Sequence, residues 1–213
     1  MAEYETTVKE KSGIAEFLGD MLDIIETGLG SIFVLFLLLT YLFLPVSVDG
    51  GSMQPTLYNG DTLLMLRKLW MPSNGSIVVI DDQEGLSFSE EGTTEENSGL
   101  NRIIVKRLIA QGGQEVNIDF DNGTVAVDGV QLQEPYIADL TKRDDSCGRV
   151  QYPIIVPEGY VFVMGDNRNH STDSRNPNVG VIPEDLILGQ AVLRTDRDEK
   201  LRTSWTEKFA LLF

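Results

Sequence analysis

Ser52 follows the most apolar stretch of the chain, in the segment VDGGSMQPTL at residues 48–57. A serine hydroxyl becomes a nucleophile when a neighbouring base removes its proton. The alternative is structural, because serine beside glycine is common in turns, where its hydroxyl bonds to nearby backbone groups. The Gly-Gly-Ser turn at residues 50–52 fits both interpretations. A base must therefore be sought elsewhere in the chain.

Lys106 is a candidate for that base. In the strand-like segment RIIVKRLIA, residues 102–110, alternation places Ile104, Lys106 and Leu108 on one face. A lysine flanked by apolar side chains loses hydration, which lowers its pKa and yields a neutral amine that accepts protons. The alternative is a lysine on an edge strand, where its charge prevents edge-to-edge pairing.

A third segment, GDNRNHSTDSR at residues 165–175, follows the apolar sequence YVFVM and is rich in polar side chains. We expect two charge-assisted pairs that would make this segment rigid, Asp166 with Arg168 and Asp173 with Arg175. Ser171 could then hold a nearby lysine amine in position. The alternative is a solvated loop whose side chains bond only to the local backbone.

The composition excludes other classes of site. With one histidine, His170, and one cysteine, Cys147, the chain has too few ligands for a typical zinc centre and cannot form an internal disulfide. We interpret Cys147 as a structural or incidental residue. A net charge of −16 argues against nucleic-acid binding, which needs clustered cations. It also argues against broad adhesion to anionic lipid, so any membrane contact should be hydrophobic.

Residues 27–48 carry no charged side chain and are predicted to form a transmembrane anchor, because about 20 apolar residues span a bilayer. A buried core helix or a cleaved signal peptide is the alternative. The apolar run is longer than a signal-peptide core, and no small-residue cleavage site follows it. We therefore predict a polar tail at residues 1–26, the anchor at 27–48 and a globular domain at 49–213.

After residue 49 the pattern becomes that of short β-strands separated by turns. Apolar or alternating segments occupy residues 61–69, 75–82, 101–110, 114–119, 124–132, 153–157 and 160–166. We predict a mainly β fold, with a barrel or sandwich core, one preceding membrane helix and a smaller inserted β region at about residues 113–150. The acidic segment at residues 90–99 and the segment at 138–150 are predicted to be loops.

Three segments, in this order behind an apolar span, resemble the bacterial type I signal peptidases, which are membrane-anchored Ser-Lys endopeptidases. GGSMQPTL resembles the nucleophile segment of that family, RIIVKRLIA its lysine segment and GDNRNHSTDSR its third motif. With supporting matches, the resemblance covers about residues 46–195. The pattern is similar to the Gram-positive one, because Gly50 stands where some members have a serine that assists the oxyanion hole.

The resemblance implies a role for each matching residue. Ser52 would be the nucleophile, with its backbone N–H as the oxyanion hole, and Lys106 the general base, oriented by Ser171. Structural support near the site would come from Asp166, Arg168, Asp173, Arg175, Arg107 and Met53, and the pockets for small substrate side chains from Val48 and Val105. No metal or other cofactor is implied, and His170 receives no catalytic role.

The resemblance also implies a function, the removal of N-terminal signal peptides from exported preproteins after an Ala-X-Ala-like site, through an acyl-enzyme. It implies a single-pass protein of the plasma membrane, with a cytoplasmic tail and an extracytoplasmic catalytic domain. Its partners would be signal peptides, the lipid bilayer and protein-export machinery. The alternatives are a dedicated processing peptidase for one exported substrate and a catalytically silent, anchored binding module. A self-cleaving Ser-Lys repressor fits poorly, because such proteins are soluble and carry a basic DNA-binding domain.

Overall fold

The computed structural model describes residues 2–89, 93–146, 150–196 and 209–212. Cys147, which we interpreted as structural or incidental, lies outside the described residues. The contacts between residues divide the chain into two units, Met1–Phe43 and Leu44–Phe213.

The first unit is a single α-helix, α1, at Ala2–Leu42. Its part at Ala15–Leu42 spans 28 residues with a mean hydropathy of 2.0, and none of it is buried within the protein. At 1.5 Å per residue such a helix is about 42 Å long, which exceeds the hydrocarbon thickness of a bilayer. Its length and exposed apolar surface fit a membrane anchor.

Helix α1 ends at Leu42, six residues before the end of the predicted span at residue 48. Pro45 explains the difference, because proline has no backbone N–H and disfavours helical geometry in the residue before it. Residues Phe43–Ser47 form a β-strand instead, and Val48 is buried in the core of the second unit.

The second unit is built from short strands, as the sequence pattern predicts. In chain order the strands of the described residues are β1 (Phe43–Ser47), β2 (Thr62–Arg67), β3 (Ile77–Asp82), β4 (Gly85–Phe88), β5 (Thr94–Asn97), β6 (Arg102–Gln111), β7 (Glu115–Asp119), β8 (Thr124–Val127), β9 (Val130–Gln131), β10 (Ile154–Ile155), β11 (Tyr160–Met164), β12 (Ile182–Pro183), β13 (Ile187–Asp196) and β14 (Ala210–Leu211). A 3₁₀-helix at Glu184–Leu186 connects β12 to β13.

Within the described residues, eight strands form one large sheet in the order β1-β2-β13-β3-β6-β11-β12, with β14 paired to β13. A second sheet has the order β10-β7-β8-β9, and β4 pairs with β5 in a separate hairpin. The mainly β prediction is thus confirmed. The second sheet corresponds to the predicted insertion, although β10 extends it to Ile154–Ile155, beyond residue 150.

Strands β6 and β11 lie inside the large sheet and bury side chains on both faces. One face contributes Leu108 and Val163 to a core cluster that also contains Val78 of β3. The opposite face contributes Ile109 and Phe162 to a cluster completed by side chains of the second sheet. The part of β6 that directly follows Lys106 is therefore packed on both faces by apolar side chains.

Strands β4, β12, β13 and β14 were not predicted, and one predicted loop contains a strand. The central strand β13, which pairs with both β2 and β3, was missed. The segment at residues 90–99 was predicted as a loop, but Thr94–Asn97 form β5. Antiparallel pairing with β4 satisfies the backbone of β5, while Glu95 and Glu96 remain exposed to solvent. Two-stranded pairing at a surface leaves little apolar pattern in the sequence.

Candidate active site

Ser52 lies on a turn that follows β1. Gly50 adopts a φ of +96°, a left-handed conformation that favours glycine, and its N–H donates a 2.8 Å hydrogen bond to Asn59 Oδ1. Beyond the serine, Leu57 N donates to Met53 O at 2.9 Å. The Met53 side chain is only 2% exposed and packs in a core cluster. The packed Met53 side chain therefore holds the turn against the core, which is the supporting position predicted for this residue. Ser52 itself stays half-buried.

Lys106 lies in the middle of β6, with 4% of its surface exposed. Its neighbours on the same face, Ile104 and Leu108, are 6% and 0% exposed, so the predicted apolar surroundings are confirmed. The alternative of an edge-strand lysine that presents its charge to solvent is wrong, because the Lys106 side chain is buried. Lys106 is directly paired with Val78 of β3.

The two candidate residues meet. Lys106 Nζ lies 2.8 Å from Ser52 Oγ, within hydrogen-bond distance. Burial lowers the pKa of Lys106 from its usual 10.5 to about 8, although the negative charge of Asp173 opposes this shift. A substantial fraction of the amine is therefore neutral near physiological pH. In that form Nζ has a free lone pair to accept the Ser52 proton.

Asp173 and Arg175 form the predicted pair in the third segment. Arg175 Nε donates to Asp173 Oδ1 at 2.8 Å and Nη2 donates to Oδ2 at 2.9 Å, with both side chains fully buried. Burial alone would raise the pKa of Asp173, but the charge and hydrogen bonds of Arg175 outweigh it, so the pKa is lowered. The ionised Asp173 carboxylate thus acts electrostatically on the Lys106 amine.

The predicted pair of Asp166 with Arg168 is wrong. Asp166 is instead bound by Arg107 of β6, whose Nε and Nη2 donate to its two carboxylate oxygens at 2.7 and 2.6 Å. Arg168 makes its own two-point pair with Glu134, at 2.6 and 3.0 Å. Both pairs are buried, and they tie the third segment to strand β6 and to the loop after β9.

Three supporting residues were missed by sequence reasoning. Thr56, in the nucleophile turn, donates a short hydrogen bond to Asp166. The ring of Tyr136 lies 3.8 Å from the guanidinium carbon of Arg107, and Glu134 binds Arg168 as described. Glu134 and Tyr136 stand together in the sequence EPY, a signal that becomes interpretable only when the two arginines are known to need partners.

Ser171 does not make the predicted hydrogen bond to Lys106. Its side chain is buried, and its Oγ has no hydrogen-bond partner among the described residues. The hydroxyl packs against Gly165, where an added Cβ would lie 2.2 Å from Ser171 Oγ and 2.4 Å from Ser52 O. This close approach explains the glycine and places Ser171 beside the nucleophile turn without a bond to the amine.

The Ser52–Lys106 pair opens onto a cleft of about 480 Å³. One wall is formed by residues 46–53 and the other by residues 102–106 of β6. Val48 and Val105, for which a substrate-pocket role was predicted, both line the cleft. His170 also lines it, although the sequence assigned it no catalytic role. Among the described residues, no group of three or more His, Cys, Asp or Glu side chains could hold a metal ion.

A buried lysine amine against a serine hydroxyl, at the base of an open cleft, is an arrangement that fits a serine hydrolase with lysine as the base. The comparisons with known proteins are in accord. A family model described as "Signal peptidase, peptidase S26" matches residues 21–195, and the chain belongs to this family. It is therefore a serine endopeptidase.

Individual relatives cover most of the chain. Signal peptidase I of Bacillus licheniformis is 35% identical over 160 residues, which are 72% of this chain and 76% of the relative. A probable signal peptidase I-1 of Synechocystis is 36% identical over 70% of this chain and 69% of the relative. A crystal structure of a signal peptidase I from Enterococcus faecalis covers 59% of this chain and 100% of that chain, at 25% identity and a TM-score of 0.42. The family assignment rests on the family model and the sequence relatives.

Proposed function

We propose that this protein removes N-terminal signal peptides from exported preproteins, with Ser52 as nucleophile and Lys106 as general base. The observation that carries the proposal is the 2.8 Å approach of a 4% exposed lysine amine to Ser52 Oγ. The family of the chain supports the substrate class, since its relatives are signal peptidases. The cleavage site would be of the Ala-X-Ala type.

The geometry supports acyl transfer in two steps. Ser52 Oγ attacks the scissile carbonyl while Lys106 Nζ takes its proton, and the resulting ammonium donates that proton to the leaving amine as the C–N bond breaks. Lys106, neutral again, takes a proton from the water that attacks the acyl-enzyme. As the ester C–O bond breaks, Lys106 returns this proton to Ser52 Oγ and the new carboxyl group is released. The Ser52 backbone N–H, which no acceptor in the described residues binds, would stabilise the oxyanion.

The cleft favours an extended substrate with small side chains. Strand β6 pairs with β3 along Arg102–Arg107, but β11 pairs only with its later part, from Arg107 to Gln111. The edge of residues 102–106 on the β11 side therefore has no strand partner among the described residues, and it faces the cleft. A substrate segment added at this edge would gain backbone hydrogen bonds, with Val48 and Val105 limiting side-chain size.

The membrane is part of the proposal. Helix α1 would anchor the protein in the plasma membrane through a single pass, with the tail in the cytoplasm and the domain from residue 49 on the extracytoplasmic side. A preprotein is held at the same membrane by its own apolar signal helix. Confinement of both molecules to one surface raises their effective concentration. The lipid bilayer and the export machinery that delivers preproteins are therefore the proposed partners.

Cleavage of a synthetic peptide with an Ala-X-Ala site, by purified protein in detergent, tests the proposal. The wild type should cut after the second alanine, whereas folded Ser52→Ala and Lys106→Ala should be inactive. Because the pKa of Lys106 is about 8 and the neutral amine is the active form, kcat/KM should rise with pH and level off above that value. The matched control is Lys142→Ala, which removes an exposed lysine from a loop.

Each alternative has its own outcome in this experiment. Full activity in Lys106→Ala would remove the base assignment while leaving a serine peptidase. Cleavage confined to one preprotein out of a panel would indicate a dedicated processing enzyme. No cleavage of any signal peptide by the folded wild type would overturn the proposal in favour of a silent binding module.

A further inference from the structure

Asn167 binds the nucleophile turn through two separate hydrogen bonds. Its side-chain Nδ2 donates to Gly51 O at 3.0 Å, and its backbone N–H donates to Ser52 O at 3.0 Å. Asn167 follows Asp166, whose carboxylate is fixed by Arg107 and accepts a hydrogen bond from Thr56. Asn167 therefore lies on a rigid segment and donates hydrogen bonds to two successive carbonyl groups, those of Gly51 and Ser52.

The hydrogen bond from Asn167 to Gly51 O determines the direction of the Ser52 N–H. The Gly51–Ser52 peptide bond is trans, so its C=O and N–H lie in one plane and point in opposite directions. Gly51 and Ser52 line the cleft, whereas Asn167 is absent from the described residues that line it. The carbonyl is thus held from behind the turn, and the N–H is directed away from Asn167. No acceptor in the described part of the chain binds that N–H.

We infer that the Asn167 side chain is a positioning residue for the oxyanion hole, because it fixes the orientation of the Gly51–Ser52 peptide. The inference rests on the proposed function and goes beyond it, since the reacting atoms are not touched by Asn167 itself. The residue before this peptide is Gly50, which has no side chain that could donate a hydrogen bond to the oxyanion. A change in the direction of the Ser52 N–H is therefore not compensated at this position. Catalysis then depends on how well this one peptide plane is held.

A second donor limits the expected effect. Gln54 N also donates to Gly51 O, at 3.2 Å, within the turn itself. Loss of the Asn167 amide should therefore loosen the peptide plane without releasing it. Removal of a complete oxyanion donor reduces kcat by about 100- to 1,000-fold. We expect a smaller loss for Asn167, of about 10- to 100-fold, on the same scale.

The test uses Asn167→Leu, which keeps a similar branched shape without a donor, and Asn167→Ala, which only removes atoms. Both are compared with wild type in the full chain, in detergent, on the Ala-X-Ala peptide. Asn178→Leu is the matched control, because Asn178 is an exposed asparagine farther along the same loop region. The measurements are kcat, KM, the pH profile and the inhibition constant of a peptide aldehyde, whose adduct with Ser52 Oγ places an oxygen in the hole.

An oxyanion role predicts a specific set of changes. The kcat should fall by about 10- to 100-fold with KM nearly unchanged, and aldehyde affinity should fall in parallel. The midpoint of the pH profile should stay near 8, because Lys106 is untouched. Unchanged kcat in both variants, or a loss of kcat with unchanged aldehyde affinity, would overturn the inference while the proposed function stands. If the wild type cleaves no signal peptide, both fail together.

Discussion

Lys106 is placed where its charge is unfavourable. A buried ammonium loses the hydration that it has in the unfolded chain, and the lowered pKa measures that loss. The shift from 10.5 to about 8 corresponds to about 3 kcal/mol of folding free energy at neutral pH, at 1.36 kcal/mol per pKa unit. The side chain is only 4% exposed, so little solvent screening reduces this value. Burial of Lys106 thus lowers the free energy of unfolding and, by lowering the pKa, gives a lysine that can act as a base.

Replacement of this lysine should make the protein inactive and more stable. We expect Lys106→Met, which keeps the stem and removes the amine, to raise the free energy of unfolding by about 2–3 kcal/mol at pH 7. Above pH 8 the folded wild type loses this proton before the unfolded chain does, so wild-type stability rises with pH. The difference should therefore shrink between about pH 8 and 10.5.

Urea unfolding at several pH values measures this effect. Lys142→Met, at an exposed position, should show no comparable gain. A Lys106→Met variant that is less stable than wild type at pH 7 would mean that the packing of the stem and the pairing with nearby carboxylates outweigh desolvation.

Individual residues were predictable where their signal is local. Lys106 stands among alternating apolar residues, a pattern that fitted either a buried lysine or an edge-strand lysine, and the structure shows the buried one. The partner of Asp166 was not predictable in this way, because Arg107 is 59 positions away and Arg168 is two positions away in the sequence. Asn167 had no signature at all, since an asparagine in a polar loop usually bonds its own backbone. Contacts between segments far apart in the sequence decide these partners, and sequence neighbours are a poor guide to them.

Secondary-structure elements were predictable where one face is apolar throughout. Strands β3 and β6 were found because their apolar runs are almost uninterrupted. Strand β13 was missed because Gly189 and Gln190 interrupt its apolar pattern. The glycine is required by packing, since a Cβ there would lie 2.2 Å from Leu66 O of the paired strand β2. Gly189 interrupts the apolar pattern of β13 in the sequence, and the same glycine allows β13 to pair closely with β2.

A side chain at position 189 should separate β13 from β2. We expect Gly189→Ala to lower the free energy of unfolding of the second unit by about 1–3 kcal/mol, as overpacking in a well-packed core does. The nearest atom is the backbone oxygen of Leu66, which cannot move aside as the next-nearest atom, in the flexible Met65 side chain, could. Gly19→Ala is the control with the same chemical change, because no atom lies within 4 Å of a Cβ there.

Thermal unfolding in detergent compares these two glycine variants with wild type. Only Gly189→Ala should lower the melting temperature. Equal melting temperatures for wild type and Gly189→Ala would show that β2 and β13 are farther apart than the structure has them.

At the level of the whole molecule, the division into an apolar helix and a β-rich unit followed from composition alone. The boundary did not, because the uncharged run continues through β1 to Val48, which belongs to the core of the second unit. Apolar residues that enter a membrane and apolar residues that enter a protein core have the same sequence signal. Pro45 was the feature that marked the end of the helix.

The two units predict separable contributions to activity. The unit Leu44–Phe213 contains Ser52, Lys106 and the three core clusters of the described residues. A variant lacking residues 2–42 should therefore fold and cut a short soluble peptide. We expect its kcat/KM on that peptide to stay within about threefold of wild type, a change too small to reflect a damaged site. Cleavage of a full preprotein embedded in lipid vesicles should fall by roughly 100- to 10,000-fold, because enzyme and substrate would no longer share one surface.

Parallel assays of the full and the truncated protein on both substrates measure these two effects. If the truncated protein were folded yet inactive on the short peptide, the helix would be needed to form the site. Equal rates on vesicle-bound preprotein would show instead that the anchor adds nothing to the encounter.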